Sequence, residues 1–173
     1  TNSNSKYVAA EFLIEYYFAR QRLRFGYKPK KMSLFRKGMV NFPEQDDLDI
    51  SSAWEVEGHY QPEIDGDLYT FKNRLIHSDN DPVQDWMIRH VRYAEWDSAI
   101  KLKGIGRRTS KSGMFKSRFA NMRFRGPIIF TYSFFIRLGF LDGRAGFDYA
   151  FALSWYYWLS DLITRETVIA NEP

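Results

Sequence analysis

Two uncharged, strongly aromatic runs occupy much of the C-terminal third of the chain, residues 126–136 and 149–160. They contain eleven and twelve residues, and each is shorter than the roughly twenty residues with which an α-helix crosses a bilayer. The segment between them contains three glycines and two aspartates, a composition typical of a turn. The pattern predicts a helical hairpin whose aromatic surface is covered by a membrane, by another part of the protein or by a second subunit.

The composition indicates a folded chain. With 173 residues and 45% hydrophobic residues, the sequence is long and apolar enough to form one domain, or a large piece of one. The absence of cysteine excludes disulfides and cysteine-ligated zinc, and it is compatible with a reducing compartment. The polar start at residues 1–5 contains no signal peptide and no initial Met, so we expect a processed, trimmed or partial product.

Charge is distributed unevenly along the chain. Residues 98–141 contain ten Lys or Arg and no Asp or Glu, whereas the remainder contains fifteen basic and twenty-one acidic residues. A basic segment of this kind favours contact with phosphate, in nucleic acid, an anionic membrane or a phosphorylated substrate. A solvated face or a disordered loop is the alternative.

The N-terminal segment, residues 6–25, is predicted to form a helix that ends before Gly26. Apolar residues recur in it at near-helical spacing: Val8, Phe12, Leu13, Tyr16, Tyr17 and Leu23. Arginines at positions 20, 22 and 24 suit the C-terminal end of a helix. Their alternation also fits a strand edge facing an anion, and in that case the helix ends near Ala19.

The middle of the chain is predicted to contain strands followed by a long helix. The strand segments are residues 32–38 with their turn, Glu55–Glu57, and residues 67–76, which form a strand or a strand followed by a helical turn. The helix runs from Asp81-Pro82 to about Leu102, with Asp81 as N-cap and Pro82 at the first helical position. A basic loop follows at residues 103–117.

Several stretches, in this order, resemble the C-terminal part of family 2 glycosyltransferases, the bacterial GT-A enzymes that build surface polysaccharides and lipopolysaccharide cores. They are residues 32–38 (MSLFRKG), 54–62 (WEVEGHYQP), Gly66 followed by 76–79 (IHSD), 89–96 (RHVRYAEW) and 141–150 (LDGRAGFDYA). The resemblance implies transfer of a sugar from a nucleotide-diphosphate donor to a lipid-linked or glycan acceptor. It implies an α/β fold: a partial GT-A mixed sheet of short strands, a long helix and a C-terminal aromatic helical hairpin.

The donor half of that family has no counterpart before residue 30. We therefore expect residues 1–102 to be the acceptor-side portion of the catalytic domain, followed by the basic loop and hairpin at 103–173, and we expect this chain to be inactive alone. The divalent cation of the complete enzyme, Mg or Mn, would be bound by the missing half. The Asp-x-Asp spellings at 47–49 and 79–81 come too late in the order to be the family's metal motif.

Glu57 is the candidate general base. It ends a predicted strand, Gly58 allows a ligand to approach closely, and the resemblance places a carboxylate base in this region. Glu55, on the same strand face, is the fallback. The alternative is a carboxylate that pairs with Arg36 or Arg89 and merely orders a loop.

Further candidates are predicted to bind the substrate. His59 shares the face of Glu57 and can orient it or contact phosphate, or simply be packed. The resemblance places His77 near the donor diphosphate or the metal, with Asp79 in the same motif. On the long helix, Arg89, Arg92 and Tyr93 can close over the diphosphate or form a solvated face, whereas His90 fits a core position. Glu57, His59 and His77 could ligate a metal, but nothing in their spacing is diagnostic of such a site, and we assign none to this chain.

The basic loop and the hairpin are predicted to meet a membrane. Arg107, Arg108 and Lys111 suit anionic headgroups, and Trp155 and Trp158 suit the interface. The resemblance implies a peripheral location on the cytoplasmic face of the bacterial inner membrane. A homodimer or the missing half could cover the hairpin instead. A competing interpretation is a basic, aromatic-rich module that binds nucleic acid or an anionic membrane without catalysis. In the nucleic-acid case Phe115, Phe119 and Phe124 stack on bases. A third interpretation is a non-catalytic interaction protein.

Overall fold

The computed structural model describes residues 6–28, 30–41, 62–77, 81–103, 122 and 124–171. Within these ranges the protein is a mixed α/β structure with a four-stranded sheet, a two-stranded ribbon and three α-helices. The strands are β1 (Tyr7–Phe18), β2 (Gln21–Leu23), β3 (Lys31–Phe35), β4 (Val40–Asn41), β5 (Glu63–Ile64) and β6 (Asp67–His77). The helices are α1 (Val83–Leu102), α2 (Arg125–Thr131) and α3 (Gly143–Ala170).

Strand β1 is the centre of the larger sheet. It pairs in parallel with β6 along one edge, and antiparallel with β2 and β3 along the other. Tyr16, for example, lies opposite Leu23 of β2 and opposite His77 of β6. β1 and β6 contain twelve and eleven residues, so the prediction of short strands is wrong for these two. The strands predicted at 32–38 and 67–76 are confirmed as β3 and β6.

The helix predicted for residues 6–25 is wrong, because this segment forms the β1–β2 hairpin. Val8, Phe12 and Tyr16 are four residues apart, and that spacing keeps one face in a strand as well as in a helix. The turn residues Ala19 and Arg20 have φ of 48° and 63°. Two-residue hairpin loops with positive φ usually contain Asn-Gly, so this turn lacks its sequence signal. The alternative prediction is that the arginines at 20, 22 and 24 lie along a strand edge, and of these Arg22 lies in a strand, β2.

Helix α1 is confirmed over the predicted range, but Asp81 is not its N-cap. Pro82 occupies the cap position, without a side-chain hydrogen bond to the helix. The Asp81 carboxylate instead accepts a 2.6 Å hydrogen bond from Nη1 of Arg89. The Asp81 carboxylate therefore binds a cation eight residues further along, and not the helix amides that the sequence predicts.

The helical hairpin is confirmed. α2 continues into a π-helical turn at Tyr132–Ile136, and a 3₁₀ turn at Gly139–Asp142 leads into α3. A Cβ at Gly126 would lie 2.8 Å from the Ser154 carbonyl oxygen, and the Phe130 ring packs edge-on against Phe147. The two helical segments are therefore antiparallel, and glycine allows their backbones to approach closely. α3 begins at Gly143, inside the segment between the two uncharged runs that is predicted to be a turn.

The hydrophobic core joins the hairpin to the carboxyl half of β1. Its buried members are Phe18, Leu23, Ile129, Ala145, Tyr149, Ala152 and Leu153, and Trp86 of α1 packs against them. None of the helices in the described ranges has both the length and the apolar character to cross a membrane. The core fixes the helices around the end of β1 where the candidate site lies.

Candidate functional site

The candidate site lies where the parallel strands β1 and β6 end. Because Tyr16 and His77 are in register, the carboxyl ends of the two strands meet at one edge of the sheet. In α/β proteins, ligands bind in the crevice outside the carboxyl ends of the strands. We call this region the carboxyl edge and define it by His77, the turn Ala19–Arg20, Asp81 and Arg89.

An accessible ion pair follows β6 at the carboxyl edge. The Nη1 atom of Arg89 lies 2.6 Å from Oδ2 of Asp81, and their side chains are 29% and 58% exposed. A pair this exposed contributes at most about 1 kcal/mol to folding. A guanidinium can bind two phosphate oxygens at once, so a diphosphate could replace Asp81 as its partner.

The β1–β2 turn contributes strain to the same edge. Ala19 and Arg20 both have left-handed backbone conformations, which cost non-glycine residues about 1–2 kcal/mol each. Ala19 lines a cavity of about 10 Å³ together with Asp81 and Trp86, room for about one water. Strain of this kind is concentrated at functional sites, which agrees with the position of the turn.

Helix α1 presents the other predicted binding residues, and packing constrains them differently. The His90 ring stacks on Trp86 with centroids 3.5 Å apart, and its Nδ1 lies 2.8 Å from the Trp86 carbonyl oxygen. His90 is therefore packed against an aromatic ring, as the alternative to a binding role predicts, but it is only partly buried. Tyr93 packs edge-on against the same imidazole at 5.3 Å, and Arg92 is half-buried on α1. Their contact with substrate stays a prediction.

Two tyrosines, the partly buried Tyr16 and the buried Tyr149, lie beneath the edge. Burial, with a smaller contribution from Tyr27, raises the pKa of Tyr16 to about 12. Complete burial raises the pKa of Tyr149 well above its ordinary value, and the two rings lie 6.3 Å apart. Both hydroxyls are neutral at physiological pH, so this layer serves as apolar support and not as an acid–base pair.

The carboxylates of β1 are paired with neighbouring strands and loops. Glu11 accepts 2.7 Å hydrogen bonds from Lys30 and from Thr70 of β6, and Glu15 accepts a 2.6 Å bond from Arg22. These contacts hold the sheet edges to β1. Among the residues that the structure describes, no three His, Cys, Asp or Glu side chains come together as a metal site.

Several predicted site residues lie outside the described ranges: Glu55, Glu57, His59, Asp79, Arg107, Arg108 and Lys111. The backbone of His77 ends β6, as predicted, whereas its side chain is outside the description. Trp155 is partly buried on α3, and Trp158 is half-exposed three residues later. The roles assigned to all of these residues stay predictions.

The prediction that the basic residues of 98–141 face phosphate is wrong for Arg125. The Arg125 side chain is 2% exposed and lies 3.0 Å from an Asp97 oxygen and 2.7 Å from an Asp161 oxygen. Burial alone would lower the pKa of Arg125, but the hydrogen bond that Arg125 donates to Asp161 and the charge of Asp97 raise it. Lys101 also binds Asp161, at 3.0 Å. Arg125 and Lys101 therefore both form ion pairs within the fold.

We call Arg125, Asp97, Ser160 and Asp161 the helix joint, because these residues connect α1, α2 and α3. Ser160 accepts a hydrogen bond from Arg125 and donates one of 2.6 Å to Asp97. No motif or spacing in the sequence predicts this cluster. The available signal is that Asp97 and Asp161 each lie next to apolar residues, where a carboxylate close to the core favours a cationic partner.

Comparisons with protein-family models, with curated proteins and with solved structures find no match for this chain. An assignment of function therefore depends on the residues themselves and on where the fold places them. The strongest such arrangement in the described ranges is the carboxyl edge. There, two parallel strands end beside a strained turn and an accessible Asp81–Arg89 pair.

Proposed function

We propose that this chain is the acceptor-side part of a family 2 glycosyltransferase with a GT-A sheet. It would transfer a sugar from a nucleotide-diphosphate donor to a lipid-linked or glycan acceptor. The observation that carries the proposal is the position of His77 and Arg89 at the carboxyl ends of parallel strands β1 and β6. The motif residues follow one another along the chain in the order that the resemblance requires, and α1 begins directly after this edge.

In this proposal the diphosphate occupies the carboxyl edge. Arg89 exchanges its bond with Asp81 for phosphate oxygens, while His77, Asp79 and Arg92 lie close enough along the chain to contribute. His59 and Tyr93 bind or orient the groups around the reacting sugar. A divalent cation, held by the donor half, would neutralise part of the charge on the departing nucleoside diphosphate.

Glu57 is the proposed base for an inverting displacement. Its carboxylate removes the proton of the acceptor hydroxyl as that oxygen attacks the anomeric carbon, and the bond from that carbon to the diphosphate breaks. The nucleoside diphosphate leaves with the bonding electrons. Arg89 at the carboxyl edge stabilises the charge that develops on it.

A transfer assay tests the proposal. The full reading frame that contains this chain is expressed and incubated with radiolabelled nucleotide sugars and with lipid-linked and glycan acceptors. Glu57→Gln should lower kcat by about 10²–10⁴-fold, the usual contribution of a general base. Glu55→Gln is the matched control and should retain activity within about tenfold, because it keeps the base. Full activity in Glu57→Gln, or no transfer from any donor, would refute the proposal.

A nucleic-acid binding module is the competing proposal, and one observation weakens it. Arg125 and Lys101 belong to the basic stretch, yet both are paired with aspartates inside the fold. Fewer cations are therefore available to phosphates than the sequence suggests. Salt-dependent binding of an oligonucleotide, with a slope that corresponds to several phosphate contacts, would favour the module over the enzyme.

A further inference from the structure

The turn that connects the two segments of the hairpin exposes an unusual amount of apolar surface. We call residues 135–141 the hairpin tip. Its exposed apolar members are Phe135, Ile136, Leu138, Phe140 and Leu141. Contiguous apolar exposure of this kind usually marks a surface that contacts a membrane or a partner.

Hydrogen bonds and close packing hold the tip in this conformation. The Gly26 amide donates to the Arg137 carbonyl oxygen at 2.9 Å. Oδ2 of Asp142 accepts bonds from the amides of Arg24 and Phe25, at 2.9 and 2.8 Å. A Cβ at Gly139 would lie 2.7 Å from the Ser133 carbonyl oxygen, so the base of the tip is closely packed. The exposure is therefore a property of the fold and not of a frayed loop.

The backbone of the tip is strained in a way that keeps an apolar side chain outside. Leu138 has φ of 60°, a left-handed conformation that leucine rarely adopts. Its side chain remains 44% exposed, so burial in the core does not compensate for the strain. Strained backbone at an exposed apolar residue points to a functional surface.

The apolar surface continues from the tip along α3. Phe134 packs against Phe140 and against Phe147, with ring centroids 6.3 and 5.8 Å apart. Phe147 stacks on Phe151, one helical turn further along α3. Phe151, Trp155 and Trp158 follow at spacings of four and three residues, which places them on one face of the helix.

Charge decides what covers this surface. Arg137 is exposed in the tip, and no acidic residue occurs from position 98 to the end of the tip. The next acid, Asp142, is turned towards the amides of residues 24 and 25. Exposed apolar side chains with an adjacent cation match a bilayer whose headgroups are anionic. We propose that the hairpin tip inserts into an anionic lipid surface, an inference that is independent of the sugar transfer proposed above.

Vesicle flotation of the 173-residue chain tests this inference. The chain should bind vesicles of phosphatidylcholine with phosphatidylglycerol. Ile136→Ser should weaken partitioning by about tenfold or more, because a buried isoleucine side chain is lost from the bilayer. Arg137→Gln should weaken binding to anionic vesicles about fivefold and change binding to pure phosphatidylcholine little.

Ile169→Ser is the matched control. Ile136 is 66% exposed and Ile169 is 68% exposed, but Ile169 lies near the far end of α3, about 40 Å along the helix from the tip. The control should bind as the unaltered chain does. Far-UV circular dichroism and the unfolding midpoint should show that all three variants are folded.

Two outcomes would overturn the proposal. One is equal loss of binding in Ile136→Ser and Ile169→Ser, since general hydrophobicity would then explain the partitioning. The other is unchanged vesicle binding in Ile136→Ser together with loss of a dimer in sedimentation, since a second copy would then cover the tip. Quenching of tryptophan fluorescence by brominated lipid in the unaltered chain, reduced in Ile136→Ser, supports insertion.

Discussion

The two ends of α1 use an arginine–aspartate pair in opposite ways. At the C-terminal end, Asp97 contributes to the helix joint, where Arg125 is 2% exposed and bound on two sides. At the N-terminal end, Arg89 binds Asp81, whose side chain is more than half exposed. The Arg125–Asp97 pair lies between helices, whereas the Asp81–Arg89 pair lies near the ends of the parallel strands β1 and β6.

The difference distinguishes a charge that holds the fold from a charge that can bind a ligand. Removing one partner of a buried pair leaves the other charge desolvated and unpaired, which is costly. An accessible pair can exchange its partner for a phosphate at little cost. We therefore expect changes at the joint to affect stability, and changes at the carboxyl edge to affect activity.

The largest effect should come from the joint. Arg125→Ala leaves Asp97 and Asp161 without their shared cation and should lower the free energy of unfolding by about 3–5 kcal/mol. Urea denaturation followed by circular dichroism measures this value. The control is Arg144→Ala, because Arg144 is 83% exposed in its pair with Asp148. That variant should lose less than about 0.5 kcal/mol, and equal losses in both would contradict the distinction.

The second effect concerns the packing beneath the carboxyl edge and appears at alkaline pH. The pKa of Tyr16 is raised to about 12 in the folded protein, against about 10 in the unfolded chain. Its contribution is complete below pH 10 and is lost as the pH rises towards 12. Over this window, the unaltered protein should lose about 2–3 kcal/mol more than Tyr16→Phe. Equal losses of unfolding free energy in the two proteins over this pH range would show that the Tyr16 hydroxyl is accessible to water.

The third prediction concerns Arg89, near the N-terminal end of α1, where we expect a substitution to lower activity and to change stability little. Arg89→Ala should reduce sugar transfer about 10- to 100-fold, the usual contribution of a hydrogen bond to a charged group. It should change the free energy of unfolding by less than about 1 kcal/mol. Transfer kinetics and urea denaturation of the same preparation provide both values. A large stability loss with normal kinetics would make Arg89 a second structural arginine.

The smallest effect should come from the strained turn at the carboxyl edge. Ala19→Asn with Arg20→Gly places residues that tolerate positive φ at both turn positions. We expect the free energy of unfolding to rise by about 1 kcal/mol. A thermal melt of the double variant measures it, with Arg20→Ala as a control that keeps the strain. Destabilisation of the double variant would mean that the original side chains make contacts worth more than the strain.

The sequence predicts elements whose signals are local. α1 is bounded by the Asp81-Pro82 start, β6 by turn residues, and the hairpin by two uncharged runs, and all three are present. β1 is mispredicted because its stability is not local. Glu11 and Glu15 look like helix formers, but Lys30, Thr70 and Arg22 from neighbouring segments neutralise or bind them. Tertiary pairing overrides propensity here.

The candidate site is predictable only in part for the same reason. The sequence places His77 at a strand end and Arg89 on a helix, and the structure agrees on both positions. It does not reveal that Asp81 is the partner of Arg89, because Asp81 is expected to cap the helix and lies eight residues away. Nor does it reveal that Arg125 is buried, because its partner Asp97 lies on another helix. Spacing within one segment carries no information on such partners.

The position of the donor diphosphate is the central claim, and photoaffinity labelling measures it directly. An azido-substituted nucleotide sugar is cross-linked to the full reading frame, and the labelled peptides are mapped by mass spectrometry. We predict adducts in peptides that cover residues 76–93, at the carboxyl edge, and their loss when excess nucleoside diphosphate competes. Adducts that lie only in residues 125–171, in the hairpin, and that are lost when nucleoside diphosphate competes would contradict this account.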